Sequence, residues 1–107
     1  MRRTARSKYS NVRTTVDGIR FASKREAKRY AELKLLEKAG KISNLALQVR
    51  YPLTVNGHQV ATYVSDFDYR EGGLLVVSDC KGMRTPMYKL KKRLMYAIHG
   101  IVIQETE

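Results

Sequence analysis

The sequence predicts an α/β fold, a mixed sheet flanked by helices in the order α-β-β-β-α-β. Two segments repeat apolar residues at helical spacing between recognisable caps. Three β-prone runs lie between them, and the turns at Asn56-Gly57 and Gly72-Gly73 join those runs as an antiparallel meander. A fourth apolar run follows the second helix, so a helical crossover returns the chain to the sheet.

Taken in order, residues 1–15 read as a basic arm, expected to be poorly ordered, and residues 16–107 as one domain. Arg3 and Arg6 of the arm suit phosphate contact, although a solvated tail accounts for them equally well. Val16-Asp17-Gly18-Ile19 predicts a small hairpin before the first helix. Ser23-Lys24-Arg25-Glu26 matches a capping box, and the helix it opens runs to about Ala39 and stops at Gly40. Ala27, Ala31 and Leu35 are expected along its apolar side, widened by Tyr30 and Leu33.

Residues Ile42 to Leu53 alternate as a strand that Pro52 places at an edge or an end. Gln59 to Tyr69 and Leu74 to Lys81 are the next two strands. Thr85 is a good N-cap with Pro86 at the first helical position. Met87, Leu90, Leu94, Ala97 and Ile98 then give one expected buried face, and Gly100 ends the helix. Ile101-Val102-Ile103 reads as the last strand, and Glu105-Thr106-Glu107 as a frayed acidic end.

Charge narrows the function. Lys and Arg number 21 against 10 Asp and Glu, a formal net of +11 over 107 residues. Such an excess repels itself unless a polyanion relieves it, and nucleic acid is the leading partner. No apolar run approaches the roughly 20 residues of a membrane span, and no helix has the face of an interfacial anchor, so no membrane partner is expected. The basic start, Met1-Arg2-Arg3, is not followed by an apolar stretch and does not read as a secretory signal. One cysteine, Cys80, forms no internal disulfide, which fits a reducing, cytoplasmic setting.

The chemistry concentrates at the ends of the last two meander strands. Asp79 and Lys81 share a face, as do Asp66 and Asp68 on the neighbouring strand. Carboxylates held close repel unless a proton or cation lies between them. Asp79 and Lys81 also suit a salt bridge at a strand end, and Asp66 or Asp68 suits a strand terminus. Glu26 is explained by helix capping alone. Gln48 reads either as a contact to substrate or site, or as a polar residue on an exposed sheet face. Lys24 on the first helix, and Lys89, Lys91, Lys92 and Arg93 on the second, suit phosphate contacts or a solvated helix surface. Tyr88 and Tyr96 suit base stacking or packing.

This arrangement resembles the PD-(D/E)XK nuclease superfamily. Phe21-Ala22-Ser23-Lys24-Arg25-Glu26-Ala27, Gln48, Asp66-Phe67-Asp68-Tyr69 and Asp79-Cys80-Lys81-Gly82 look like a small, mostly phage-borne branch grouped with Holliday-junction-resolvase-like endonucleases. The resemblance covers nearly all of residues 19 to 104. It implies a restriction-endonuclease-like core and Mg²⁺-dependent hydrolysis of DNA, with Mn²⁺ able to substitute. It implies Asp66, Asp79 and the Cys80 backbone carbonyl as metal ligands, Glu26 as an additional acid and Lys81 as the catalytic lysine. Asp66 is preferred to Asp68 because the motif acid precedes Phe-X-Tyr. Branched or duplex DNA is the implied substrate, a homodimer the plausible assembly, and a bacterial host cytoplasm the setting for a phage or prophage protein. The alternative is a non-catalytic nucleic-acid-binding module with the same fold.

Overall fold

The computed structural model describes residues 13–80 and 84–106. Ten elements follow one another: β1 (Thr14–Val16), β2 (Ile19–Phe21), α1 (Lys24–Lys38), β3 (Ser43–Leu47), β4 (Arg50–Val55), β5 (His58–Val64), β6 (Phe67–Glu71), β7 (Leu74–Cys80), α2 (Pro86–His99) and β8 (Gln104–Thr106). The fold is α/β with a mixed sheet in the order β3-β6-β7-β8. The first two pairings are antiparallel and β7 with β8 is parallel, α2 supplying the crossover. β1 begins at Thr14, inside the segment read as an arm; residues 1–12, including Arg3 and Arg6, lie outside the described residues.

Two apolar layers sandwich this sheet. On one face Ala27, Tyr30 and Leu33 of α1 pack with Phe21, Ile42, Phe67 and Tyr69. On the other, Tyr88 and Met95 of α2 pack with Leu53, Tyr63, Val77 and Ile103. The strand alternation sorts residues between the layers, so Tyr69 and Val76 belong to the α1 side and Val77 to the α2 side.

The caps form as the sequence predicts. Ser23 Oγ accepts from Glu26 N–H (3.2 Å), while Glu26 Oε1 accepts from Ala22 N–H (3.2 Å), one residue before the cap. Thr85 Oγ1 accepts from Tyr88 N–H (3.1 Å), and Gly100 closes α2 in the left-handed region at φ 70°. The Asp17-Gly18 hairpin also forms, both residues having positive φ.

Several boundaries differ from expectation. The strand expected over Ile42 to Leu53 divides into β3 and β4, and the one over Gln59 to Tyr69 into β5 and β6. The meander therefore forks: β3 and β6 stay in the central sheet while β4 and β5 leave as a separate two-stranded ribbon. Gln48 makes the bend with φ 51°. On α1 the buried arc centres on Tyr30 and Leu33, and Leu35 is 69% exposed. On α2 the buried residues are Tyr88 and Met95, whereas Met87, Leu90 and Ala97 face outward because the helix is rotated toward the ribbon.

The end of the chain departs most. Ile101 to Ile103 is not a strand; β8 lies one step later, pairing Ser78 with Gln104, Asp79 with Glu105 and Cys80 with Thr106. Glu105 is not frayed. Its carboxylate accepts from Arg84 (2.7 and 2.8 Å), Tyr88 Oη (2.7 Å) and Lys92 Nζ (3.0 Å). These bonds, that to Arg84 foremost, hold its carboxyl down at about 2, below the ordinary 4.5. A depressed folded-state value stabilises the fold above the ordinary value, and the contribution fades as pH falls toward the folded one. Urea unfolding of the native chain and Glu105→Gln should therefore show a stability gap that is full above pH 4.5 and closes on approach to pH 2. A gap independent of pH would show that the carboxylate charge does not tie β8 to α2.

Candidate active site

The candidate site lies where the meander forks. Asp66 sits in the gap between β5 and β6, with its backbone fixed on both sides. Its N–H donates to Ser78 C=O (3.1 Å) and its C=O accepts from Gln48 N–H (3.1 Å). Ser65 N–H donates to Val49 C=O (2.9 Å), so the fork is pinned at each strand. Its carboxylate then reaches across to the end of β7 and accepts from Cys80 N–H at 2.7 Å.

Two further acids approach Asp66 there. Asp66 is within hydrogen-bonding reach of the carboxyls of Asp79, from β7, and Glu26, from the first turn of α1. Burial pushes the Asp66 carboxyl up to about 6, and Glu26 adds to the rise; Asp79 and the Cys80 amide act against it. Glu26 is half-buried and also caps α1, so its two readings coexist in one position.

Asp79 is 2% exposed, and Tyr63 Oη donates to its Oδ2 at 2.6 Å. Burial first, then this carboxylate, holds the Tyr63 phenol well above its ordinary range. Tyr63 carries no metal-ligand or nuclease signature in sequence. Its position follows from the ribbon folding back over the sheet, a contact that strand alternation does not encode.

Asp68 is engaged elsewhere. It accepts from Tyr51 Oη through one oxygen and from Ser65 Oγ (2.6 Å) through the other. Ser65 Oγ in turn accepts from Val49 N–H (3.3 Å). The structure therefore brings Asp66, not Asp68, beside Asp79. Burial and the Asp68 carboxylate raise the Tyr51 phenol likewise.

The other candidates divide. Gln48 is exposed and joins the site through its backbone N–H. The Cys80 side chain packs on the α1 side, Sγ lying 3.3 Å from Thr106 Oγ1, so only its backbone borders the acids. Lys24 is exposed at the start of α1. Lys89, Lys92 and Arg93 line a groove beside α2; Lys91 is half-buried and does not line it. Lys81 lies outside the described residues.

The donor set is all oxygen, which suits a hard cation such as Mg²⁺. Two observations bear on the fit. Asp66 is a half-buried carboxyl that interacts with two others and has no cationic side chain paired to it among the described residues. Conversely, no three His, Cys, Asp or Glu side chains among the described residues converge as a finished metal cage. Mg²⁺ commonly takes only one or two protein carboxylates and completes its shell with water and substrate phosphate, so the two observations agree.

Fold and site together define an α/β protein with acids gathered at a sheet fork and a strongly basic exterior. Residues 6–102 match the family described as "Protein of unknown function (DUF1064)", and the chain belongs to that family. No curated protein and no solved structure matches it significantly. Among the described residues no helix is long and apolar enough to cross a membrane.

The Tyr63 contact is open to measurement. Tyr63→Phe deprives a buried carboxylate of its donor and should cost about 1–3 kcal/mol of unfolding free energy, read by urea denaturation. A loss under about 0.5 kcal/mol would mean that the hydroxyl does not hold Asp79.

Proposed function

We propose that the protein is a metal-dependent endonuclease that hydrolyses DNA phosphodiester bonds, with branched DNA as its preferred structure. The observation that carries this reading is the meeting of Asp66, Asp79 and Glu26 at the fork of a protein whose net charge is +11. A basic protein that merely binds a polyanion gains nothing from bringing acids together; an enzyme that must hold a cation against a phosphate does.

Asp66 and Asp79 would hold an Mg²⁺ ion, with Glu26 and the Cys80 carbonyl as further ligands. When bound, such an ion lowers the pKa of water and polarises a phosphoryl oxygen. The chain's own residues supply the remainder. Cys80 N–H fixes the Asp66 carboxylate, and Tyr63 Oη fixes that of Asp79. Held in this way, both acids need little reorganisation when the substrate arrives. Lys81 follows Asp79 by two residues, and the superfamily resemblance gives it the role of orienting the nucleophile or neutralising charge on the phosphate. Lys24, Lys89, Lys92 and Arg93 contact phosphates on either side, which orients DNA without reading its sequence. A homodimer would present two such sites to symmetric strands of a junction, and the bacterial cytoplasm is the proposed setting.

Incubation with junction, flap and plain duplex DNA in Mg²⁺ or Mn²⁺ tests this. Cleavage should be abolished by a chelator and should be fastest on the junction. Asp66→Ala and Asp79→Ala should each lower the rate at least about a hundredfold without weakening DNA binding in metal-free buffer. Salt-dependent binding with no cleavage of any substrate would leave the non-catalytic module as the function.

A further inference from the structure

A groove of about 730 Å³ runs between α2 and residues 101–105. Its lining combines two kinds of surface. Ala97, Ile101 and Val102 make part of it apolar, and Tyr96 contributes an aromatic ring that is 63% exposed. Lys89 and Arg93 add charges with no ion-pair partner among the described residues.

The groove borders the strand next to the one that carries Asp79. Asp79 and Glu105 are paired neighbours on parallel β7 and β8, so their side chains lie on one face about 4.8 Å apart at the backbone. Glu105 forms the near end of the groove, and Arg84 and Lys92 neutralise it. Glu105 is the single acid among the lining residues, against Arg84, Lys89, Lys92 and Arg93, which leaves a net positive channel.

We propose that this groove binds a single-stranded nucleic-acid segment that leaves the candidate active site, with one base stacked on Tyr96 and its phosphates on Lys89 and Arg93. The two surfaces select this occupant. A duplex presents phosphates outward and keeps its bases stacked inside, so it cannot use an apolar, aromatic lining. A single strand offers base faces and phosphates together. The volume is that of a small-ligand pocket, suited to one or two nucleotides and too small for a double helix. An acidic peptide would satisfy the cations but leave the Tyr96 ring without a flat partner. This inference rests on the nucleic-acid part of the proposed function and not on cleavage.

The chain contains no tryptophan, so Tyr96→Trp places a unique fluorophore in the groove. In metal-free buffer, a short oligothymidylate should quench it, whereas a duplex of equal length or polyglutamate should not. Tyr96→Ala should weaken oligothymidylate binding about five- to a hundredfold, with Tyr96→Trp restoring it and duplex affinity changing less than about twofold. Thermal unfolding of both variants checks that this exposed position leaves the fold intact. The proposal is overturned if oligothymidylate affinity is unchanged in Tyr96→Ala, if both ligands weaken equally, or if polyglutamate quenches as the oligonucleotide does. Quenching by a single strand in a protein that cleaves no DNA would remove the nuclease and keep the groove. Cleavage that persists with no groove signal would do the reverse.

Discussion

The fork in the meander is the constraint on which the rest of the structure depends. Two long strands each break, at Gln48–Val49 and at Ser65–Asp66, and the breaks are tied to each other. Gln48 N–H donates to Asp66 C=O, Ser65 N–H to Val49 C=O, and Val49 N–H to Ser65 Oγ. An unbroken strand would leave Asp66 as one more rung of a ladder. The break lets its carboxylate reach the Cys80 amide across the sheet, while its own N–H stays paired with Ser78. The same break frees the β4–β5 ribbon to fold over α2. That swing places Tyr51 over Asp68 and Tyr63 over Asp79. One backbone event therefore both separates the two aspartates of Asp-Phe-Asp and supplies each with its donor.

A carboxylate drawn out of water is tolerated when donors or cations surround it, and Asp68, Glu37 and Glu105 obey that rule. Asp68 has two hydroxyls. Glu37 has Lys34 and the Leu45 amide, which together hold its carboxyl below the ordinary range. Glu105 has an arginine, a lysine and a phenol. Asp66 has one amide and two further carboxyls, and its carboxyl is pushed up to about 6. In a protein with twice as many cations as acids, a position that gathers acids without a lysine or arginine paired to Asp66 among the described residues stands apart from ordinary surface electrostatics.

Much of the fold is legible from local chemistry. Ser23, Thr85 and Gly100 act within their own helix ends, and Asp17-Gly18 and Asn56-Gly57 act within their own turns. Such signals need no knowledge of what packs where. The fork, the rotation of α2 and the place of β8 are different, because each depends on contacts between segments distant in sequence. Met87 and Leu90 have the spacing of a buried face, yet Tyr88 and Met95 are the residues that meet Leu53, Tyr63 and Val77. Glu105 sits among polar terminal residues, and nothing in its neighbours announces that α2 and the residues just before it will bring Lys92 and Arg84 to it. The approach of Asp66 to Asp79 is legible from adjacent strand ends, whereas only the superfamily resemblance joins Glu26 to them. The place of Tyr63 is not legible, since a tyrosine in an alternating strand reads as packing until the ribbon is seen to turn over the acids.

The α2 face of the sheet links these parts. Tyr63, Asp79 and Tyr88 are buried there; burial first, then the bond to Glu105 and the charge of Asp79, raise the Tyr88 phenol. An acid beside Asp79 on the next strand would ordinarily add to the repulsion at the site. Here Arg84 and Lys92 neutralise Glu105, so the acids of the candidate site and the surplus base of the groove lie within one strand spacing. In the proposed nuclease a phosphate chain crossing that boundary passes from the acids to the surplus cations, an order that suits a substrate gripped on one side of the bond to be cut. Two strand ends and a crossover helix produce it because the parallel pairing of β7 with β8 carries the sheet directly from Asp79 to Glu105.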